Sequence, residues 1–319
     1  MEIIVADNAL NELGIVQEFV SFDCVNSKGY EKKDNDFELK MTVSQWDKYK
    51  IKKGYFIYIN GTEFGGEVEG ITVNGDSVTL NGITWRGMLS RPIIVNPSYR
   101  FLGEANSAVL SAVSGQNLPS FFVISQLNTG INVDASFAYP KLLQAITEGL
   151  ANSGMRLDVN FYNGIVTLKA TKVVDRTSEI DISGDYSGAA IKAVDDLSGY
   201  LNHYIAVGKD GVTVQRWMDA NGDFYTDYIG GVNRSCLIQS ENETDTVKLR
   251  EQIVKKGKDN IPQKTIEINL NETELNVELG DKVSGRERIT GFKMAGEIYK
   301  KILRIEKERN KITLKHEVK

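Results

Sequence analysis

Along much of the chain apolar and polar residues alternate with a period of two, the spacing of strands that bury one face. Runs of this kind cover 2–6, 20–25 and 37–43, then "YFIYI" (55–59), "EVEGITV" (67–73) and "SVTLN" (77–81), rich in β-branched and aromatic residues. Five Asn-Gly pairs punctuate the pattern, at 60–61, 74–75, 81–82, 163–164 and 221–222. Asn and Gly tolerate positive φ, as a type I′ turn requires, so each pair predicts a hairpin.

From about residue 97 the period changes. "EANSAVLSAVSG" (104–115) and "YPKLLQAITEGLANSG" (139–154) carry helical spacing, and Leu142, Leu143, Ile146 and Leu150 make one apolar stripe. Pro140 suits a first helical turn and Gly154 a C-cap, which predicts a helix over 139–153 followed by a hairpin over 155–170. The strand pattern then returns at 201–208, 212–220, 264–270, 282–286, 297–308 and 311–318, the last two forming a hairpin across Arg309 and Asn310. A highly charged stretch near 241–260 reads as a solvated helix. The predicted class is mainly β with an α/β insertion (α+β). Its parts are a small β-barrel or sandwich over 1–96, an α/β middle region over 97–200 and a second β domain over 201–319.

Composition narrows the function classes. A hydrophobic fraction of 41%, 25% charged residues, and 29 Gly against 5 Pro describe a folded, turn-rich chain of 319 residues, long enough for about two domains. The formal net charge of −5 opposes any role that depends on gripping phosphate. No run approaches the roughly 20 apolar residues of a membrane span. The amino terminus lacks the basic and apolar regions of a secretory signal, so synthesis in a cytoplasm is expected.

Candidate chemistry is sparse. Asp219, Asn221 and Asp223 alternate as calcium ligands would, but Phe224 stands where the loop needs Gly and Gly230 where it needs Glu; an acidic hairpin turn accounts for the segment. Cys24 and His203 could be paired as a cysteine peptidase, yet Cys24 sits in a strand beside Asp23 rather than in an electropositive setting. His203 and His316 both fall on alternating strands, which favours structural roles. Trp85, Trp217, Tyr225 and Tyr228 could form a sugar platform, although aromatics on strands are more often core. No catalytic residue, cofactor site or metal site is expected.

A resemblance emerges from particular residues. "VTLNGITWRGMLSRPI" (78–93) resembles the closing hairpin of the first barrel in phage tail hub proteins, the matching positions being Gly82, Leu89 and Arg91. "DRTSEIDIS" (175–183) follows with Asp175, Arg176 and Thr177. Next come "YLNHYIAVGKDG" (200–211) with Asn202 and Gly208, and "LGDKV" (279–283) with Gly280, Asp281 and Val283, in the order that family shows.

The resemblance implies two tube-like β-barrel domains with a smaller helix-plus-hairpin region between them. It implies a homotrimer that closes a pseudo-sixfold ring, joins the tail tube to a tip or spike and lets DNA pass. Expected partners are the chain itself, a tail tube or distal tail protein, a tip or spike protein and a tape measure protein, with no specific nucleic-acid binding and no membrane. The expected place is the tail tip or baseplate of a virion, after synthesis and assembly in a bacterial host cytoplasm. Because the sequence ends directly after a hairpin, no appended muralytic or fibre domain is expected. Two other readings stand beside this one: a carbohydrate- or protein-binding module of a tail tip, and a peptidoglycan hydrolase.

Overall fold

The computed structural model describes residues 1–319 apart from 180, 184–189, 197, 271–276, 287–292, 308, 310 and 319. Strands β1 (Ile4–Ala6), β2 (Glu12–Ile15), β3 (Phe19–Ser27) and β4 (Asp36–Thr42) come first. Helix α1 (Val43–Tyr49) starts where the Thr42 hydroxyl accepts the Gln45 N–H. Next are β5 (Phe56–Tyr58), β6 (Gly65–Asn74), β7 (Ser77–Thr84) and α2 (Trp85–Met88), the last capped by Thr84.

The middle of the chain carries β8 (Tyr99–Glu104), α3 (Ala105–Val113), β9 (Phe122–Ile124), β10 (Asn132–Phe137), α4 (Leu142–Ala151), β11 (Met155–Tyr162) and β12 (Ile165–Lys172). Then follow β13 (Asp181–Ser183), β14 (Ala190–Asp196), β15 (His203–Val207), β16 (Thr213–Met218), β17 (Phe224–Tyr225), β18 (Ser235–Gln239) and α5 (Thr246–Lys258). The chain closes with β19 (Gln263–Leu270), β20 (Lys282–Arg286), β21 (Lys293–Glu306) and β22 (Lys311–Val318). Among the described residues no helix is long and apolar enough to cross a membrane.

One large sheet runs in the order β14-β19-β22-β21-β3-β4-β7-β6-β5-β1-β2, with β20 on β21 and β13 on β20. Its inner face buries Phe22, Cys24, Leu39, Met41, Leu80 and Leu303 in one core. A second core lies under Phe56, Tyr58 and Trp85 and takes in α3, α4 and the β11-β12-β9 sheet. The apolar run at 55–59 now has a reason. Ile57 enters the first core while Phe56 and Tyr58 enter the second, so β5 is buried on both faces and alternation is not needed there.

The expected domain scheme differs from the observed one. The chain divides into two compact units, Met1–Lys192 with Ile266–Lys319, and Ala193–Thr265. No closed barrel is found among the described residues. The N-terminal strands do not close on themselves because β3 takes β21 as its neighbour, pairing Cys24 with Leu303 and Phe22 with Ile305. Residues 201–319 are likewise not one body. The chain leaves the first unit near residue 192, builds a four-stranded sheet, β17-β16-β15-β18, with α5 over Tyr204, Ala206 and Met218, and returns near 266.

The Asn-Gly pairs behave in different ways. Asn163 (φ 47°) and Gly164 (φ 81°) are the two-residue loop of the β11–β12 hairpin, with positive φ at both positions as expected. In the β6–β7 hairpin the loop is Gly75-Asp76, with Gly75 at φ 58° and Asn74 ending the strand, the pattern of a type II′ turn. Asn81-Gly82 is no turn at all but the interior of β7. A Cβ on Gly82 would lie 2.2 Å from the Phe37 ring, so the glycine makes room for a cross-strand aromatic. The loop at Asn60-Gly61 meets the other hairpin: Gly61 N–H donates to the Phe161 carbonyl at 2.9 Å, and the Asn163 N–H to Asn60 Oδ1 at 3.1 Å. Of the hairpin at Arg309 and Asn310, Glu306 pairs with Lys311, and Asn310 lies outside the described residues.

Candidate functional site

The first unit holds a partly buried ionic cluster where β21 meets the 59–64 loop, β11 and the turn before β20. Lys301 shares strand parity with Leu303 and Ile305 and therefore points into the sheet's inner face. Its Nζ is 2.6 Å from Glu63 and 2.7 Å from Glu278. Burial alone would lower the ammonium, yet the charges and hydrogen bonds of Glu63 and Glu278 hold it above its ordinary value. Burial raises the Glu278 carboxyl, with Lys301 opposing. Beside Lys301 in the strand register stands His316, buried, with both ring nitrogens unpaired; burial first and Lys301 second push it down to about 3.

Asp281 completes the cluster. Its carboxylate accepts from the Arg156 guanidinium, from Val174 N–H at 2.9 Å and from Glu278 N–H at 3.0 Å. Arg156 also donates to Asp158 at 2.8 Å. Arg86, fixed by α2, is buried and donates to the Leu157 carbonyl at 2.6 Å. A cleft of about 360 Å³ opens over these groups between Thr62, Asn160 and Leu279. Most of the cations and carboxylates here are satisfied by one another and by backbone, the arrangement of a tie between elements, while Arg86 Nε is buried with no hydrogen-bond partner. Sequence reasoning missed Lys301, Glu63, Glu278, Arg156 and Arg86. The readable signal was charge at positions where alternation calls for an apolar side chain, as at Lys301 in "KILRI".

The motif positions fall into three groups. Gly82 sits under Phe37; Leu89 is fully buried in the second core; Arg91 reaches back to β6, 3.0 Å from Glu67 and 2.6 Å from Glu69. Asp175, Arg176 and Thr177 lie along the 282–284 stretch that follows Gly280 and Asp281 and contains Val283. Asp175 makes an isolated parallel backbone β-bridge with Lys282, Arg176 N–H donates to the Lys282 carbonyl at 2.8 Å, and Ser284 Oγ donates to the Thr177 carbonyl at 3.0 Å. Gly280, at φ 99°, makes the turn that aims Asp281 inward, and Val283 is buried. Asn202 and Gly208 belong to the second unit. Asn202 accepts from Arg234 N–H at 2.7 Å and donates to the Val232 carbonyl at 3.2 Å, while a Cβ on Gly208 would lie 2.3 Å from the Glu243 carbonyl oxygen.

The other candidates also find places. Cys24 is fully buried, and burial pushes its thiol well up, away from the thiolate a peptidase uses; His203 is in the other unit, bonded to Ser235 at 2.8 Å. Asp219 Oδ1 accepts the N–H groups of Asn221 (2.9 Å) and Asp223 (3.0 Å), the bonding of a turn. Among the described residues no group of three or more His, Cys, Asp or Glu is placed to hold a metal ion. Trp85 is core, stacked on Phe161 at 4.9 Å, whereas Trp217, Tyr225 and Tyr228 come together in the second unit.

No protein-family profile and no curated protein sequence matches the chain. Solved structures do. The 43 kDa tail protein of prophage MuSo2 from Shewanella oneidensis superposes with a TM-score of 0.61 at 11% identity, over 100% of this chain and 98% of that one. The tail protein from Neisseria meningitidis MC58 gives 0.58 at 11% identity, over 99% and 95%. A chain of the phage P2 baseplate in its activated conformation with Ca gives 0.52 at 12% identity, over 99% and 98%. Likeness at these identities is likeness of fold, and it extends from end to end: this chain has the fold of phage tail and baseplate proteins.

Proposed function

We infer that the protein is the structural hub of a phage tail or phage-tail-like particle. In this reading three copies close a pseudo-sixfold ring that joins the tail tube, or a distal tail protein, to the tip or spike. DNA passes through the ring, and a tape measure protein ends there. The observation that carries the reading is the end-to-end fold likeness to tail and baseplate proteins.

The sheet topology supports it. Strands from both chain ends join in one sheet through β3 and β21; in this reading the two ends supply two successive wall segments per protomer. Three such protomers match a sixfold tube, and sheet edges that meet between protomers satisfy N–H and C=O groups otherwise left open. A net charge of −5 suits a wall past which DNA must slide. The motif residues act as fold determinants, with no catalytic role, and the protein works in the tail tip after assembly in the host cytoplasm. Light scattering at high protein concentration tests the stoichiometry: the mass of a trimer is expected, and a stable mass of five or seven copies contradicts the reading.

A further inference from the structure

The second unit, Ala193–Thr265, carries a feature that ring formation does not use. Its sheet has α5 on one face. On the other face one register row crosses all four strands: Ser235, His203, Trp217 and Tyr225. His203 stacks on Trp217 at 4.8 Å and 15°, and Tyr228 meets Trp217 edge-on at 6.4 Å. Trp217 is half-buried, while Tyr225 and Tyr228 are 42% and 58% exposed. His203 is buried in this row, and the exposed rings of Tyr225 and Tyr228 beside it depart from the polar-out pattern a sheet's solvent face normally shows.

The polar tips of these rings are already used. Trp217 Nε1 donates to Asn233 at 3.3 Å, Tyr225 OH to Asp219 at 3.2 Å and Tyr228 OH to the Gly231 carbonyl. These bonds fix the rings and leave to a ligand the exposed surface of Tyr225 and Tyr228 and the part of Trp217 that His203 does not cover. The loop that brings Tyr228 and Asn233 is itself anchored, because Asn202 bonds to the backbone of both Val232 and Arg234. Around the rings, Asp219, Asp223 and Asp227 supply three carboxylates, set against the guanidinium of Arg234 next to Asn233 in the same loop.

The geometry points to a saccharide-binding platform at Trp217, Tyr225 and Tyr228. The ligand class is a neutral glycan: a sugar ring lays its C–H face on the aromatic surface and gives its hydroxyls to the carboxylates at the rim. Nucleobases could also stack on such rings, but their phosphates would meet the three aspartates. Such a site adds a recognition surface to the ring-forming role and stands or falls separately from it.

The test is titration of the full chain with a β-1,4-linked N-acetylglucosamine tetramer and, separately, an α-1,4-linked glucose hexamer, followed by tryptophan fluorescence and saturation-transfer NMR. Saturable binding to at least one is expected, weakened about tenfold in Trp217→Ala, as loss of one stacked ring implies, and retained in Trp46→Phe. Should Trp217→Ala fail to fold, the exposed-ring variant Tyr228→Ala carries the test, with weaker binding expected. Binding of neither saccharide overturns the assignment. So does binding that both ring variants leave unchanged, or oligothymidylate binding at the same rings in place of saccharide.

Discussion

At Gly82 a side chain has nowhere to go. An added Cβ would lie 2.2 Å from Phe37 and 2.3 Å from the Glu67 carbonyl oxygen, in a strand interior where neither neighbour can withdraw. Gly82→Ala should therefore destabilise the chain by about 2–3 kcal/mol, as overpacking does, read as a lower urea midpoint. Asp281 is held to a different standard, since its carboxylate satisfies a buried guanidinium and two backbone N–H groups. Asp281→Ala should cost about 3 kcal/mol or more, and Asp281→Asn less, because an amide oxygen still accepts. Equal effects of the two substitutions would contradict the bonding described.

His316 gives a pH dependence with a definite sign. Its ring falls from the ordinary 6.5 to about 3 in the folded chain, so below pH 6.5 the unfolded chain binds a proton that the folded chain does not. Stability is then lost as pH falls from 6.5 toward 3. Relative to His316→Gln, the natural chain should lose about 2 kcal/mol between pH 8 and pH 5. Glu278, whose carboxyl is raised, works in the opposite direction above the ordinary glutamate range, and comparing the two proteins cancels its part. Parallel curves of urea midpoint against pH would rule out a buried neutral His316.

Among the elements, two separate cores imply two separate unfolding events. Tyr204, Met218, Leu249 and Ile253 close the core of the second unit, while Phe22, Leu39, Leu80 and Leu303 belong to the first. Native-state hydrogen exchange should show the amides of β15 and β16 opening at one common free energy and those of β3, β4 and β7 at another. A single shared value for both sets would contradict the division. Individual elements were legible because their signals are local: the stripe of Leu142, Leu143, Ile146 and Leu150 is the buried face of α4, and Asn163-Gly164 turns a hairpin. Pairing of Cys24 with Leu303 was not legible, since no local pattern reports which of many similar strands will meet across such a separation. For the same reason the insertion of Ala193–Thr265 between strands of one sheet escaped notice. The ionic cluster was hidden likewise, its members being scattered from Glu63 to Lys301.

For the whole molecule, the central claim concerns position and copy number in a particle. The sheet built from both chain ends leaves β14 at one edge and β2 at the other among the described residues, edges that a closed ring of identical protomers would pair. Light scattering reports mass but not location, and isolated chains can lack the tube or tip against which a ring assembles. The most direct measurement is electron cryomicroscopy of the native particle, with this chain traced into the density at the end of the tail tube. The account predicts three copies in a ring with two similar wall segments per copy, open along its axis and in contact with the tube on one side and the tip on the other. A ring position filled by another protein, or this chain present in five or seven copies, would contradict it.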